Sequence, residues 1–349
     1  GLSGPLQQGN EMSIGTETIL SDEEVIKSFP CYQGAGLPGY FIDFLGVKTR
    51  TSYICDLPKE GGRLEGYPIP SSFHATAIEW AGVLRAVLDA DKEIIAVELG
   101  AGWAPWLVTV ARAAAIRGIE SVRLIGVEAC EAHCTYMATH FSDNGLDPKD
   151  HTLLHGVVGT KDGVAEFPHV ADPSAGYGAQ AILKDDQEAK AAMSHRTARL
   201  VRRLAGRIFK AMKAGARSVR DGTFVRYPGH RGLNGQGNQA ANTQLKCYSI
   251  STLIRPFTNV DLIHVDIQGD EVRVISSAQE ILKEKVKRLV IGTHSRMIEQ
   301  QLLDMLTRPD WELESEEACI FKQRWGRSLL WRDGCLVWRN RVLDDRRRG

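Results

Sequence analysis

From residue 94 onward, short β-rich apolar runs alternate with helical patterns, and this rhythm restricts the chain to very few architectures. "IIAVEL" (94–99) is followed by a helical stretch over 104–118, and "VRLIGV" (122–127) by one over 130–143. "TLLHGVV" (152–158) supplies a third strand. The rhythm resumes with "VDLIHVD" (260–266), a helix over 269–284, "RLVIGT" (288–293) and a helix over 296–307. "WELESEEAC" (311–319) and "CLVWRN" (335–340) then read as a closing antiparallel pair. Strands fed by crossover helices build a mostly parallel α/β sheet with both faces covered. Right-handed crossovers place the binding crevice at the strands' carboxyl ends, so the residues just after each strand are the ones to read for chemistry.

Around this core lie additions that a minimal sheet does not require. Residues 1–66 are rich in Gly and turn residues and read as a cover of loops and short strands. "SSFHATAIEWAGVLRAVLDA" (71–90) reads as a helix with Ser71 or Ser72 as N-cap, leading directly into the first strand. Between 158 and 260 come "GVAEFPHV" (163–170) as a hairpin partner, a basic helix, a Gly/Asn-rich loop (229–242) and a short strand "QLKCYSI" (244–250).

Lys plus Arg equal Asp plus Glu at 43 each, yet the charge is spread unevenly. Lys190 to Arg231 holds twelve basic residues against Asp221, so that segment carries +11 and the remainder −11. Met193, Leu200, Leu204, Ile208 and Met212 recur at three- and four-residue spacing there, the pattern of a basic amphipathic helix over 188–220. Three readings stay open for it: a helix packed on the domain with a solvated face, one meeting an anionic membrane surface or lipid-linked glycan, and one meeting nucleic acid. Sparse aromatics (Phe209, Phe224, Tyr227) disfavour stacking on bases.

With 349 residues, 43% of them hydrophobic, the chain buries a core without staples. Seven scattered cysteines, an odd number, favour reduced thiols. No apolar run approaches the ~18 residues of a membrane span, and "GLSGPLQQGNEMS" lacks a signal pattern. The expectation is a soluble cytoplasmic protein.

The turn "VELGAGWAP" (97–105) raises the question of which cofactor it serves. A dinucleotide fingerprint wants a third small residue where Pro105 stands, whereas proline suits the first position of a helix. Glu98 lies beside the turn, where a pyrophosphate would be repelled and a cationic amino group welcomed. Glu128, ending the second strand in "IGVEAC", suits any ribose-bearing cofactor. S-adenosylmethionine carries an ammonium, a sulfonium and two ribose hydroxyls, and so answers both acids. NAD binding and a purely structural turn are the alternatives. Trp103 either shields the cofactor or packs the helix start. The Cys130, His133, Cys134 cluster of "EACEAHC" lacks a second ligand pair, so no metal is expected.

A second constellation ends later strands. In "LIHVDIQGDE" (262–271), Asp266 leaves the strand at the carboxyl edge, and Asp270 and Glu271 complement the dipole of the helix they begin. His264 shares Asp266's face by alternation and reads as a core histidine. In "VIGTHS" (290–295), His294 stands at the same edge, a near-neutral imidazole suited to taking a proton. For both Asp266 and His294 a purely structural role stays open.

With these residues in view, the chain resembles the FkbM-type S-adenosylmethionine-dependent methyltransferases over 70–341. "VELGAGWAPW", "GVEAC", "HVDIQGDE" and "GTHS" carry the resemblance, the last two together more specifically than the glycine turn. It implies the Rossmann-like class I methyltransferase fold: seven strands, mostly parallel, the last antiparallel. It further implies O-methylation of a hydroxyl on a sugar, glycan or secondary metabolite. By position, Glu98, Gly100, Ala101, Gly102, Trp103, Glu128, Ala129 and Asp266 would line the cofactor, with Asp266 and His294 as the catalytic pair facing the acceptor. The domain reading is a cover segment over 1–70 and a methyltransferase domain over 71–342, with the basic insertion at 171–242. RNA methylation guided by the basic insertion, and a non-catalytic cofactor-binding interaction module, remain as alternatives.

Overall fold

Seven apolar runs become the strands of one sheet: β1 (Glu93–Leu99), β2 (Ser121–Glu128), β3 (Thr152–His155), β4 (Val260–Val265), β5 (Val286–Thr293), β6 (Trp311–Glu317) and β7 (Gly334–Asn340). The computed structural model describes residues 20–55, 57, 61–183, 242–307, 309–324 and 327–348. The basic helix read over 188–220 and the Gly/Asn-rich loop up to 241 lie outside the described residues. The strand order is β6-β7-β5-β4-β1-β2-β3. Only β7 runs antiparallel to its neighbours, pairing β5 on one side and β6 on the other. The fold is thus the Rossmann-like α/β sheet expected, with its antiparallel closing strand.

The helices that matter for the crevice are α1 (Asp22–Lys27), α2 (Ala77–Leu88), α3 (Pro105–Arg117), α4 (Glu131–Asp143), α5 (Ile250–Ile254), α6 (Glu271–Ser277), α7 (Gln279–Lys285) and α8 (Arg296–Leu306). Among the described residues no helix is long and apolar enough to cross a membrane.

Strand alternation divides the core. Ile94, Ala96, Leu262, Val290 and Val337 join one apolar cluster with Trp80 and Leu84 of α2 and Leu107 of α3. Ile95, Val97, Leu99, Ile263, Val265 and Leu289 join the other, with Val274 of α6 and Leu302 of α8. This period of two fixes the site, because Glu98 and His264 lie in register on neighbouring strands and continue the first face toward the carboxyl edge. The N-terminal cover shares that face: Val25, Ile26, Phe29, Phe44 and Leu45 are buried in the same cluster, and Tyr40–Ile42, Lys48–Arg50 and Arg63–Leu64 form a small sheet.

Three local expectations are corrected. The run at 152–158 divides after His155: Val157–Gly159 leaves the main sheet and pairs in parallel with Thr243–Ser249. Gly163–Phe167 is likewise no hairpin partner of that run, since it pairs antiparallel with Thr243–Ser249. Neither Ser71 nor Ser72 caps α2, whose N-cap is Thr76. The Ser72 Oγ instead accepts from the amides of His74 and Ala75 and from Trp80 Nε1, building the loop that precedes the helix.

Candidate active site

The glycine turn is shaped by close approach. Gly100 has φ +76°, and a Cβ there would lie 1.9 Å from the carbonyl oxygen of Asp266, so the residue closing β1 must be glycine. The amides of Gly100 and Ala101 donate to Val127 O at 3.0 Å, tying the turn to β2. Pro105 begins α3, as the sequence implies, but the N-cap Ala104 has no capping side chain and takes φ 58°. Glu98 replaces the missing cap: its Oε2 accepts from Leu107 N at 3.0 Å and its Oε1 from Trp106 N at 3.5 Å. Burial pushes the Glu98 carboxyl up to about 8, more than those amides and the neighbouring His264 lower it.

Glu128 bridges the turn to the next strand end. Its Oε2 accepts from Gly102 N at 2.7 Å and its Oε1 from Cys130 N at 2.6 Å. His133 Nδ1 stands 3.6 Å from the same carboxylate, and its Nε2 contacts Pro173 O at 2.8 Å. The His133 ring stacks on Tyr177 with centroids 4.1 Å apart and planes 5° apart. Burial opposes charge on His133, yet its hydrogen bonds to Cys130 and Glu128 push its pKa up to about 10. Together these groups form one wall of a cavity of about 330 Å³.

The opposite wall is the end of β4. Asp266 N donates to Leu99 O at 2.9 Å, and the Asp266 Oδ1 accepts from Gln268 Nε2 at 2.8 Å. The chain then turns through Gln268, at φ 59°, and Gly269 into α6. Glu271 is fully buried, its Oε1 accepting from the amides of Ile267 and Gly269 at 3.3 and 2.9 Å. His294, the residue after β5, lies between the two acids: Nε2 is 3.1 Å from Asp266 Oδ1 and Nδ1 is 3.1 Å from Glu271 Oε1. Burial works against a charged imidazole, but the two carboxylates outweigh it and raise the His294 pKa well above the usual histidine range. Burial likewise raises Asp266, and His294 more than reverses this, holding its carboxyl below the ordinary carboxylate range.

Among known proteins, the chain is 30% identical over 319 residues to a protein of Jannaschia sp. (strain CCS1) named as a methyltransferase. That match takes in 91% of this chain and 98% of the relative. The chain belongs to the methyltransferases. Among solved structures it is similar to methyltransferase FkbM from Methylobacillus flagellatus KT, at 11% identity and a TM-score of 0.34, over 75% of this chain and 54% of that one. It is also similar to TrmK of M. capricolum in complex with S-adenosyl-homocysteine, at 7% identity and a TM-score of 0.30, over 74% and 67%. TM-scores this low add nothing to the strand order already described. No family model matches the chain.

In this methyltransferase Glu98, Gly100, Ala101, Gly102, Trp103, Glu128, Ala129 and Asp266, all expected near a cofactor, line the one cavity. His294 does not: the lining includes Asp266, Gln268 and Asp270 but stops short of it. His294, expected with Asp266 as the catalytic pair, stands behind Asp266, with its Nε2 3.1 Å from the Asp266 carboxylate.

Two groups missed in the sequence reach the methyltransferase's cavity instead. His264 is a wall residue, its Nε2 held by Glu79 of α2 at 2.8 Å, and its Nδ1 is buried without a hydrogen-bond partner. His74 lies near Trp106 and Trp80, with ring centroids at 5.3 and 5.4 Å, and its Nε2 is likewise buried without a partner. Burial drives the His74 pKa down to about 3, which keeps that ring neutral. The only signal in the sequence is the alternation that puts His264 on Asp266's face; nothing marks Glu79 on its helix as its partner.

Proposed function

We propose that this methyltransferase uses S-adenosylmethionine to methylate a hydroxyl of a sugar, glycan or secondary metabolite, as an FkbM-type enzyme. One observation supports this above the others: the glycine turn, Glu128 at the end of β2 and Asp266 at the end of β4 share one cavity. The residues fit the cofactor. The cavity lies at the small end of the ~300–1,000 Å³ range of ligand sites. Glu128 Oε2 accepts one amide and keeps a second lone pair for a ribose hydroxyl, while Oε1 faces both Cys130 N and His133. Trp103 Nε1 is a buried donor without a protein partner, a vacancy that ligand acceptors fill.

Glu98 and the Gly100–Trp103 backbone would hold the methionine end, and Glu128 with Ala129 the nucleoside. When bound, the cofactor supplies an electrophilic methyl group on a sulfonium. The chain's own contribution is mainly positioning. Asp266, kept ionised by His294, accepts a hydrogen bond from the acceptor hydroxyl and fixes the direction of its oxygen. His264 in its neutral form, with Nε2 held by Glu79, offers Nδ1 to the proton that this oxygen loses; burial opposes the charge so gained, and Glu79 more than offsets it, raising the His264 pKa. Trp103, Trp106 and Tyr177 keep the wall apolar and exclude water.

The test is transfer of labelled methyl from S-adenosylmethionine to a panel of nucleotide sugars, oligosaccharides, phenolic metabolites and tRNA. A labelled methyl ether on a hydroxylated small molecule or saccharide supports the reading. Label confined to tRNA bases would replace it with RNA methylation.

A further inference from the structure

We propose that Asp266, Glu271 and His294 form a binding site for one divalent metal ion. The sequence points to no such site, because the three residues are separated along the chain and belong to three elements. The fold brings them together: Asp266 follows β4, Glu271 begins α6, and His294 follows β5. One ligand atom from each residue lies within 4.8 Å of the others, a spread that small side-chain shifts would close onto a single ion.

Three observations show that the protein leaves this cluster incompletely satisfied. Glu271 has no exposed surface, and while its Oε1 receives two amides, its Oε2 is buried with no hydrogen-bond partner. A carboxylate oxygen in that position lacks the donor or cation that burial demands. Both ring nitrogens of His294 are also buried without a hydrogen-bond partner. Each is 3.1 Å from a carboxylate oxygen, but the contact lacks hydrogen-bond alignment, so the imidazole edge is not committed to either acid. The charge count agrees. Two carboxylates bring two negative charges, which one imidazolium neutralises only by half and one divalent ion neutralises fully while leaving the imidazole as a neutral ligand.

Two carboxylate oxygens with one imidazole nitrogen suit a first-row ion such as Mn²⁺, which accepts hard oxygen ligands and tolerates nitrogen. Three protein ligands leave further coordination positions open on such an ion. Asp266 is also part of the cavity wall, while Glu271 and His294 lie behind it, so an ion held by the three would sit at the cavity's edge. An acceptor hydroxyl bound there would be polarised and its proton made easier to remove. That catalytic use rests on the methyl-transfer reading above, whereas the existence of the site does not.

The experiment uses the full chain, stripped of metal by chelation, with Mn²⁺ alone as probe. Calorimetry is expected to give one Mn²⁺ per chain, and Asp266→Asn and Glu271→Gln each to weaken it by about 10-fold or more. Cooperative thermal melting of each variant without ligand reports whether it is folded, and stabilisation by S-adenosylhomocysteine on the same samples reports cofactor binding. It also separates the outcomes, since loss of cofactor binding tests the proposed function and loss of Mn²⁺ binding tests the site. Pulsed electron paramagnetic resonance on the unmutated chain gives a readout independent of the variants, with nitrogen coupling from His294 expected on the bound ion. No Mn²⁺ binding, binding unchanged in folded variants, or a bound ion without nitrogen coupling would each overturn the proposal.

Discussion

At the scale of single residues, the site depends on a few buried carboxylates doing two jobs. Glu128 accepts two backbone amides and retains a lone pair on Oε2 for a ribose. Glu128→Gln therefore leaves the turn largely in place but should weaken S-adenosylhomocysteine binding roughly 10- to 100-fold, the ~1.5–3 kcal/mol of a charged hydrogen bond, measurable by calorimetry. Glu79→Gln should leave that affinity within a few-fold while lowering turnover at least about 10-fold, because it unfastens His264 and not the cofactor. Equal losses in affinity and turnover would make Glu79 a structural residue. Glu98, Glu128 and Asp266 were legible as crevice residues because each sits at or next to a strand's carboxyl end, a position that sequence alone reveals. The His294 environment was not legible. Its neighbour Glu271 looks in sequence like an acid complementing a helix dipole, and only the turn through Gln268 and Gly269 brings it to the imidazole.

At the scale of elements, the strands and helices followed the hydrophobic periodicity closely, and the failures have identifiable causes. The run at 152–158 reads as one strand, yet it serves two sheets on either side of Gly156, where a Cβ would lie 2.6 Å from the Tyr248 ring. Periodicity cannot reveal such a change of sheet, because both halves are strands. The helix read over 269–284 is α6 and α7, divided at Ala278. Tight packing under α2 gives a test at this scale. A Cβ on Gly82 would meet Val337 and Val290 methyls at 2.8 and 2.9 Å. Gly82→Ala should therefore destabilise by about 1–3 kcal/mol in urea unfolding despite the ~1 kcal/mol that alanine adds to helix propensity. A more stable variant would show that α2 can ride outward. Across the sheet, Arg288 is buried and pairs with Glu314 through Nε and Nη2, both at 2.7 Å, and with Asp89 at 2.8 Å. Arg288→Ala strands those carboxylates and should cost about 3–5 kcal/mol.

At the scale of the whole molecule, buried ionisable groups set how stability depends on pH. Burial raises Glu98 to about 8 and Asp43 to about 7, so between roughly pH 5 and 8 the folded chain keeps protons that the unfolded chain has released. Stability falls as pH rises through that window. Burial lowers His74 to about 3 and His140 to about 4, so below about pH 6.5 the unfolded chain takes up protons that the folded chain refuses. Stability is lost there as pH falls. The two trends place the optimum on the acid side of neutrality, and melting at pH 8 should occur below melting at pH 6; the reverse order would contradict the burial of Glu98 and Asp43. The central claim, that the cavity beside the glycine turn is built for the methyl donor, is tested most directly by thermal melting with S-adenosylmethionine, S-adenosylhomocysteine and NAD in parallel. Each at about 100 times its dissociation constant, the two methionine-derived ligands should raise the melting temperature by about 4 °C, and NAD should leave it unchanged. Stabilisation by NAD alone would contradict the account.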